Sequence, residues 1–166
     1  MLKCFFPDEY LDSAYDIDYE GLYQEGIRGI LFDIDNTLVP HGAPADDRAR
    51  ALFARLRELG MGYCFVSNNK EPRVEPFAGA VQGRYIHKAG KPSPGGYRRA
   101  MEMLGTDEAS TLFVGDQLFT DIYGAKKAGL RNILVKPLHP KEEIQIVLKR
   151  YLEKIVLYFY QKEGDS

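Results

Sequence analysis

Residues 27–40 read IRGILFDIDNTLVP, an apolar run, Ile27–Phe32, that ends on two carboxylates, Asp33 and Asp35, with Thr37 just beyond. A short apolar run bounded this way predicts a buried strand, and side chains at i and i+2 of an extended chain leave it on the same side. Two carboxylates crowded at a strand's mouth are unfavourable without a partner. What the rest of the chain supplies as that partner decides both fold and function.

Four more short runs follow: Tyr63–Val66, the weaker Arg84–His87, Thr111–Val114 and Asn132–Val135. Helical patterns separate them. Ala49, Leu52, Phe53, Leu56 and Leu59 recur at helical spacing, and Gly60 supplies a stop. Ser93 and Pro94 read as an N-cap and a first helical residue, ahead of a face made by Tyr97, Ala100, Met101 and Leu104, with Gly105 closing it. A third helix is expected over Thr120–Ala128, stopped by Gly129. Apolar strands alternating with helices predict an α/β fold whose parallel sheet, of about five strands, is covered on both faces. The 166 residues are expected to form one domain, 1–166, with an N-terminal arm over 1–26 and a C-terminal helix over 141–166.

The net charge of −2 gives no reason to expect a nucleic-acid partner. It is unevenly spread: residues 1–26 hold seven acids and one lysine, so an acidic arm is expected to lie against a mildly basic body. The longest notable apolar stretch, Ile155–Tyr160, is far too short to span a bilayer. The opening MLKCFFPDEY makes a poor secretory signal. Cys4 and Cys64 have neither metal-ligand nor redox-pair spacing, which suggests a reducing, cytoplasmic setting, and Cys64 within GYCFVS reads as a small core residue.

In parallel α/β sheets, ligands collect beyond the carboxyl ends of the strands. The polar clusters of this chain fall there: Asp33 and Asp35 after the first run, Ser67-Asn68-Asn69 after the second, and Gly115-Asp116 after the fourth. Crowding Asp33 and Asp35 near Asp116 and Asp121 calls for a cation, and a hard divalent ion such as Mg²⁺ suits an oxygen-rich site that also takes a phosphate. Aspartate can act as a nucleophile toward phosphorus. Asp35 could protonate a leaving alkoxide and then activate water. Ser67, the amides near Asn68, and Lys91 could bind phosphoryl oxygens.

Asp33-Ile34-Asp35-Asn36-Thr37, Ser67 after a strand, Lys91 before Pro92, and the run Gly115-Asp116-Gln117-Leu118-Phe119-Thr120-Asp121 resemble, in order, the four motifs of the haloacid dehalogenase (HAD) phosphatases. DIDNTLVP, FVSNN, KAGKPSPGGYRRAM, VGDQLFTDIYGA and ILVKPL look like the YqeG-like branch of its type IIIA group, and the likeness covers roughly residues 7–153. The resemblance implies a three-layer Rossmann-like domain with Asp33 as nucleophile and Asp35 as general acid and base. It implies Mg²⁺ held by the Asp33 carboxylate, the Asp35 main-chain carbonyl and Asp116, and Asp121 behind these or positioning Lys91. A receiver domain gathers similar groups, but there the acid pair and the phosphoacceptor come from different strands and the lysine follows the last motif; here the lysine precedes the second acidic motif.

The intervals Thr37–Ser67 and Ser67–Lys91 each leave room for little beyond a helix, so no large cap domain is expected. An uncovered site implies a large or surface-presented phosphorylated substrate. Mitochondrial relatives of the YqeG-like branch dephosphorylate phosphatidylglycerophosphate, so the resemblance points to a lipid ester. The competing reading is an interaction module that keeps the fold, turns over little, and binds a partner through its last helix. That helix places Ile144, Val147, Leu148, Tyr151, Ile155 and Phe159 on one face, and seven of the eleven tyrosines lie in residues 1–26 or 151–166. The commoner fate of such a face is core coverage, with the tyrosines packed beneath the arm; the functional alternative is peripheral contact with a membrane or a partner. His41, His87 and His139 are too scattered for a metal site, although His41 lies in the loop after the candidate nucleophile.

Overall fold

The computed structural model describes residues 2–138 and 144–164, the side chains of residues 144–147 excepted. The expected contribution of His139 and of the Ile144 and Val147 side chains lies outside the described residues.

The centre of the fold is the strand read first, β2 (Gly29–Phe32), buried along its whole length. It pairs in parallel with β3 (Gly62–Val66) and β5 (Thr111–Gly115), and β4 (Arg84–Ile86) and β6 (Arg131–Val135) extend the sheet on either side. A sixth strand, β1 (Glu9–Leu11), comes from the acidic arm and pairs in parallel with β6, giving the order β1-β6-β5-β2-β3-β4. The sheet therefore has six strands. Three residues, EYL, inside an acidic segment carry too little apolar pattern to announce a strand.

Alternation sorts the strand side chains into two layers. Ile30 and Phe32, with Phe65, Leu112 and Val114, face α1 (Tyr19–Gln24), α2 (Asp47–Leu59) and α3 (Glu71–Ala80), where Leu22, Phe53, Leu56, Val74 and Phe77 complete the core. Leu31, Cys64, Val66 and Phe113 face α4 (Gly95–Leu104) and α5 (Tyr123–Lys127), packing on Tyr97, Ala100, Met101 and Ala125. Burial pushes the Cys64 thiol up to about 12, the behaviour of an inert core cysteine.

The caps follow chemistry visible in the sequence. Asp46 accepts a hydrogen bond from the Ala49 amide at 2.8 Å to open α2, and Gly60, at φ 80°, closes it. Gly105 closes α4 in the same left-handed conformation. Two boundaries differ from expectation. The first helical residue of α4 is Gly95, preceded by Pro94 without a side-chain cap; Ser93 is spent in a turn, its amide donating to the Gly90 carbonyl at 2.9 Å. The third helix starts earlier, as a π-helical turn over Leu118–Ile122 that leads into α5.

Each of the β2–β3 and β3–β4 connections carries a single helix, so nothing of cap size overhangs the strand ends. The arm's acids pair with basic residues of the body: Glu9 and Glu25 with Arg131, Asp12 with Lys136, Glu20 with Arg55. These pairs are largely exposed and contribute little individually.

The last helix, α6 (Ile144–Gly164), overturns one expectation. Leu148, Tyr151, Ile155 and Phe159, expected to cover the sheet, are between 45% and 66% exposed. The buried side of α6 is made instead by Val156 and Leu157, packed in a cluster with Leu118, Ile122, Leu134, Phe5 and Phe6. Tyr160 meets Phe6 of the arm edge to face, 5.2 Å between centroids. A helix that is apolar on several sides has two stripes to offer, and the inward one is that which also turns Arg150 and Glu153 toward the strand ends. Among the described residues, no helix is long and apolar enough to cross a membrane.

Candidate active site

Strand register builds the site. Phe32 aligns with both Phe65 and Val114, so Asp33, Ser67 and Asp116 emerge on one rim. The Asp33 amide continues the ladder, donating to the Val114 carbonyl at 3.0 Å.

Carboxylate oxygens of Asp33, Asp116 and Asp121 lie within 4.8 Å of one another, all three residues buried. Lys91 bridges two of them, its Nζ 3.0 Å from Asp33 Oδ1 and 2.6 Å from Asp121 Oδ1. Asn68 holds that lysine's loop in place: its side chain accepts from the Lys91 amide at 2.8 Å and donates to the Lys91 carbonyl at 3.0 Å. Asp121 Oδ2 accepts the amides of Asp116 and Gln117, each at 3.1 Å. This approach requires glycine before Asp116: a Cβ on Gly115 would stand 2.7 Å from Asp121 Cβ and Cγ. The π-helical turn that carries Asp121 is fixed by Tyr97, whose hydroxyl donates to the carbonyls of Thr120 and Asp121.

The electrostatics show a cluster short of positive charge. Asp33 is held well above the usual carboxylate range, first by burial and then by Asp121, with Lys91 opposing and Asp116 adding to the rise. Asp116 is pushed up to about 6 by burial and by Asp121, against the pull of Arg150. For Lys91, burial is the largest single influence and acts to lower its pKa, but Asp121 and Asp33 together outweigh it and keep the ammonium charged. Three carboxylates thus face two cations before any phosphate arrives. The donor set, buried hard oxygens with a residual negative charge, fits a divalent ion of the Mg²⁺ class.

The second aspartate of the opening motif is held apart from this cluster. Asp35 Oδ1 accepts from the Gly42 amide at 2.8 Å and from Arg73 at 2.9 Å, and Oδ2 accepts from Asn69 Nδ2 at 2.6 Å. His41 Nδ1 lies 3.9 Å from the same carboxylate. Ser67 is buried, and its Oγ accepts the Asn69 amide at 3.1 Å, which leaves the hydroxyl proton available to a ligand. Thr37 Oγ1 donates to Asp116 Oδ1 at 3.0 Å. Between them Asn36 adopts φ 61°, a left-handed conformation that asparagine tolerates better than most residues.

The structure therefore brings Asp33, Lys91, Asp116 and Asp121 into direct contact, and sets Ser67, Asn68 and Asp35 around them. Asn69, already part of the polar cluster after β3, holds Asp35; two further partners were not legible from motifs, Arg73, which also holds Asp35, and Arg150 of α6, which hydrogen-bonds the Asp116 carboxylate and carbonyl. Arg73 sits on an ordinary helix, and Arg150 lies 34 residues from its partner. Neither position carries a local signal.

A family model described as HAD-hydrolase-like matches residues 88–137. The chain is 34% identical over 166 residues, covering 99% of itself and 96% of the relative, to the "probable phosphatase YqeG" of Bacillus subtilis (strain 168). It is 29% identical over 162 residues to "phosphatidylglycerophosphate phosphatase 1, chloroplastic/mitochondrial" of Arabidopsis thaliana, covering 89% of itself but 46% of that longer protein. The chain thus spans about half the length of the plant relative. Among solved structures it resembles NagD from E. coli K-12, with a TM-score of 0.54, 15% identity, and coverage of 66% of this chain and 87% of the other. That likeness shows the shared fold.

Proposed function

Because the chain belongs to the HAD superfamily, as a phosphatase of its YqeG-like branch, we propose that it hydrolyses a large phosphomonoester, a lipid phosphate of the phosphatidylglycerophosphate kind, through an aspartyl phosphate on Asp33. The observation that carries this reading is the buried cluster of Asp33, Asp116 and Asp121 bridged by Lys91 at the strand ends.

In the proposed reaction, an Asp33 carboxylate oxygen attacks phosphorus and the bond to the leaving alkoxide breaks. Asp35 gives that alkoxide a proton. Asp35 then takes a proton from water as the water oxygen attacks the aspartyl phosphate, and the bond from phosphorus to Asp33 breaks to release inorganic phosphate and restore the carboxylate. To do so Asp35 must exchange one of its present donors, Asn69 or Arg73, for the reacting oxygen. Lys91 and the Ser67 hydroxyl stabilise charge on the phosphoryl oxygens. Asn68 acts one step back, by fixing the backbone of Lys91.

Asp33, Asp116 and the Asp35 carbonyl are the groups assigned to Mg²⁺, with Asp121 held to Lys91. When bound, the ion supplies the positive charge that lets a phosphate dianion approach these carboxylates. Two observations support the choice of a large substrate. The strand ends are not overhung by an inserted domain, and a relative aligned over most of this chain is named for a phospholipid substrate.

The test is phosphate release from p-nitrophenyl phosphate and from phosphatidylglycerophosphate in mixed micelles, with and without Mg²⁺. Metal-dependent turnover that disappears in Asp33→Asn, with the lipid preferred over small sugar phosphates, is the expected result. Full activity in Asp33→Asn would overturn the mechanism, and preference for a small ester would overturn the substrate class.

A further inference from the structure

The inward side of α6 is accounted for by Val156, Leu157, Arg150 and Glu153. Its outward side is not. Leu148, Tyr151, Leu152, Ile155, Tyr158 and Phe159 are each between 45% and 66% exposed, and they follow one another at three- and four-residue spacing along about three turns of helix. Scattered exposed apolar residues need no explanation, but six large ones in a continuous stripe mark a contact surface.

The charges beside this stripe narrow the choice of partner. Lys149 and Lys154 are exposed on its two flanks. Of the two carboxylates on α6, Glu153 is buried and accepts hydrogen bonds from Arg150 and the Leu118 amide, and Glu163 is exposed in the last turn, where it pairs with Lys3. An apolar helix face rich in tyrosine and phenylalanine, on a helix where the exposed Lys149, Lys154 and Lys162 outnumber the one exposed acid among the described residues, Glu163, suits the boundary of an anionic bilayer. A second copy fits less well, because a self-contact would add the partner's lysines to a helix whose exposed charges are already mostly basic.

The stripe also adjoins the site. A cavity of about 340 Å³ opens between α6 and the carboxyl end of β6, lined by apolar residues that include Leu134 and Leu157 and by the charged Asp116, Arg150, Glu153 and Lys154.

We propose that the outward face of α6 seats the protein on an anionic phospholipid surface, which would bring a membrane-embedded phosphomonoester to the strand ends where Asp33 lies. The second half of this inference rests on the phosphatase reading above; the docking surface itself does not. The test uses the full chain and large unilamellar vesicles of phosphatidylcholine alone or with phosphatidylglycerol, read by co-sedimentation. Wild type and Asp33→Asn should both bind the anionic vesicles at low salt and leave the neutral ones in solution. Leu152→Glu with Ile155→Glu, both outward, should reduce binding at least tenfold while p-nitrophenyl phosphate hydrolysis and the melting curve stay unchanged. Lys149→Glu with Lys154→Glu should abolish the preference for anionic lipid.

Vesicle binding unaffected by the paired glutamates, or absent in wild type, overturns the proposal even if p-nitrophenyl phosphate is hydrolysed. A concentration-dependent dimer that the same substitutions dissolve, without vesicle binding, assigns the stripe to a second copy instead. Loss of the phosphatase reading shows separately, as absent turnover on every ester with lipid binding intact.

Discussion

Arg150, on the last helix, donates to both the carboxylate and the main-chain oxygen of Asp116, and Glu153 accepts from the same guanidinium at 3.0 Å. The C-terminal helix is therefore wired into the charge balance of the acid cluster as well as packed against the fold. Arg150→Gln leaves Asp116 and Glu153 without that cation. Breaking a buried pair by removing one partner costs on the order of 3 kcal/mol. The metal-free variant should melt well below wild type, and saturating MgCl2 should raise its melting temperature more than it raises wild type's, because the ion replaces the missing charge. Equal shifts in the two proteins would show that Arg150 and the ion do not share Asp116.

The raised pKa values of Asp33 and Asp116 set the sign of a pH effect. A carboxyl whose folded-state value lies above its unfolded one holds protons more tightly when folded, so it disfavours the fold when ionised and stops doing so once protonated. For Asp116, moved from 3.8 to about 6, the penalty is complete only above about pH 7 and is relieved as pH falls through about 6 toward 4. Asp33 moves in the same direction. Metal-free protein should therefore gain stability on going from pH 7.5 to about pH 5.5, by on the order of 1–2 kcal/mol. Denaturant titrations at the two pH values measure this, and Asp116→Asn should flatten the difference. Bound Mg²⁺ should reverse its sign, since the ion favours the ionised acids.

In the proposed reaction Arg73 acts through Asp35, whereas Asn69 touches both Asp35 and the Ser67 hydroxyl. Arg73→Ala should lower kcat roughly tenfold to a hundredfold, the scale expected when a reacting group loses its orientation, with KM for p-nitrophenyl phosphate little changed. Arg73→Lys should restore part of the loss, whereas Asp35→Asn should abolish turnover yet keep metal binding. A KM effect equal to the kcat effect in Arg73→Ala would mean that the guanidinium contacts substrate directly.

Two glycines give a matched pair for the packing argument. Gly115→Ala forces a methyl onto Asp121, with 2.7 Å contacts to its Cβ and Cγ, and should cost about 2 kcal/mol along with most activity. At Gly79, within α3, an added methyl would meet nothing within 4 Å. Gly79→Ala should be neutral or stabilising by about 0.5–1 kcal/mol, with activity intact. Urea melts and turnover on both variants separate close approach at Gly115 from a general intolerance of added bulk.

The rim is readable in the sequence because the chemistry there uses distinctive residue types in a fixed order, each just past an apolar run. Asp33, Ser67, Lys91 and Asp116 share that property. Their supports do not. Arg73 and Arg150 are basic residues on helices, indistinguishable by pattern from solvated neighbours, and only the tertiary fold aims them at Asp35 and Asp116. The edge strand Glu9–Leu11 is hidden by its brevity and acidity. The facing of α6 escapes the pattern for another reason: periodicity finds stripes, but two apolar stripes on one helix compete, and residues 150 and 153 supply a polar anchor that decides which turns inward.

The pairing of Glu9–Leu11 with Ile133–Val135 also bears on synthesis. A ribosome must add about 124 further residues after Glu9 before its partner strand exists, on the order of ten seconds at ordinary elongation rates. For that interval the segment lacks its partner, and its surplus of carboxylates sets like-charged segments of other nascent chains against it by repulsion. The acidity that conceals this strand from periodicity thus doubles as its guard while translation proceeds.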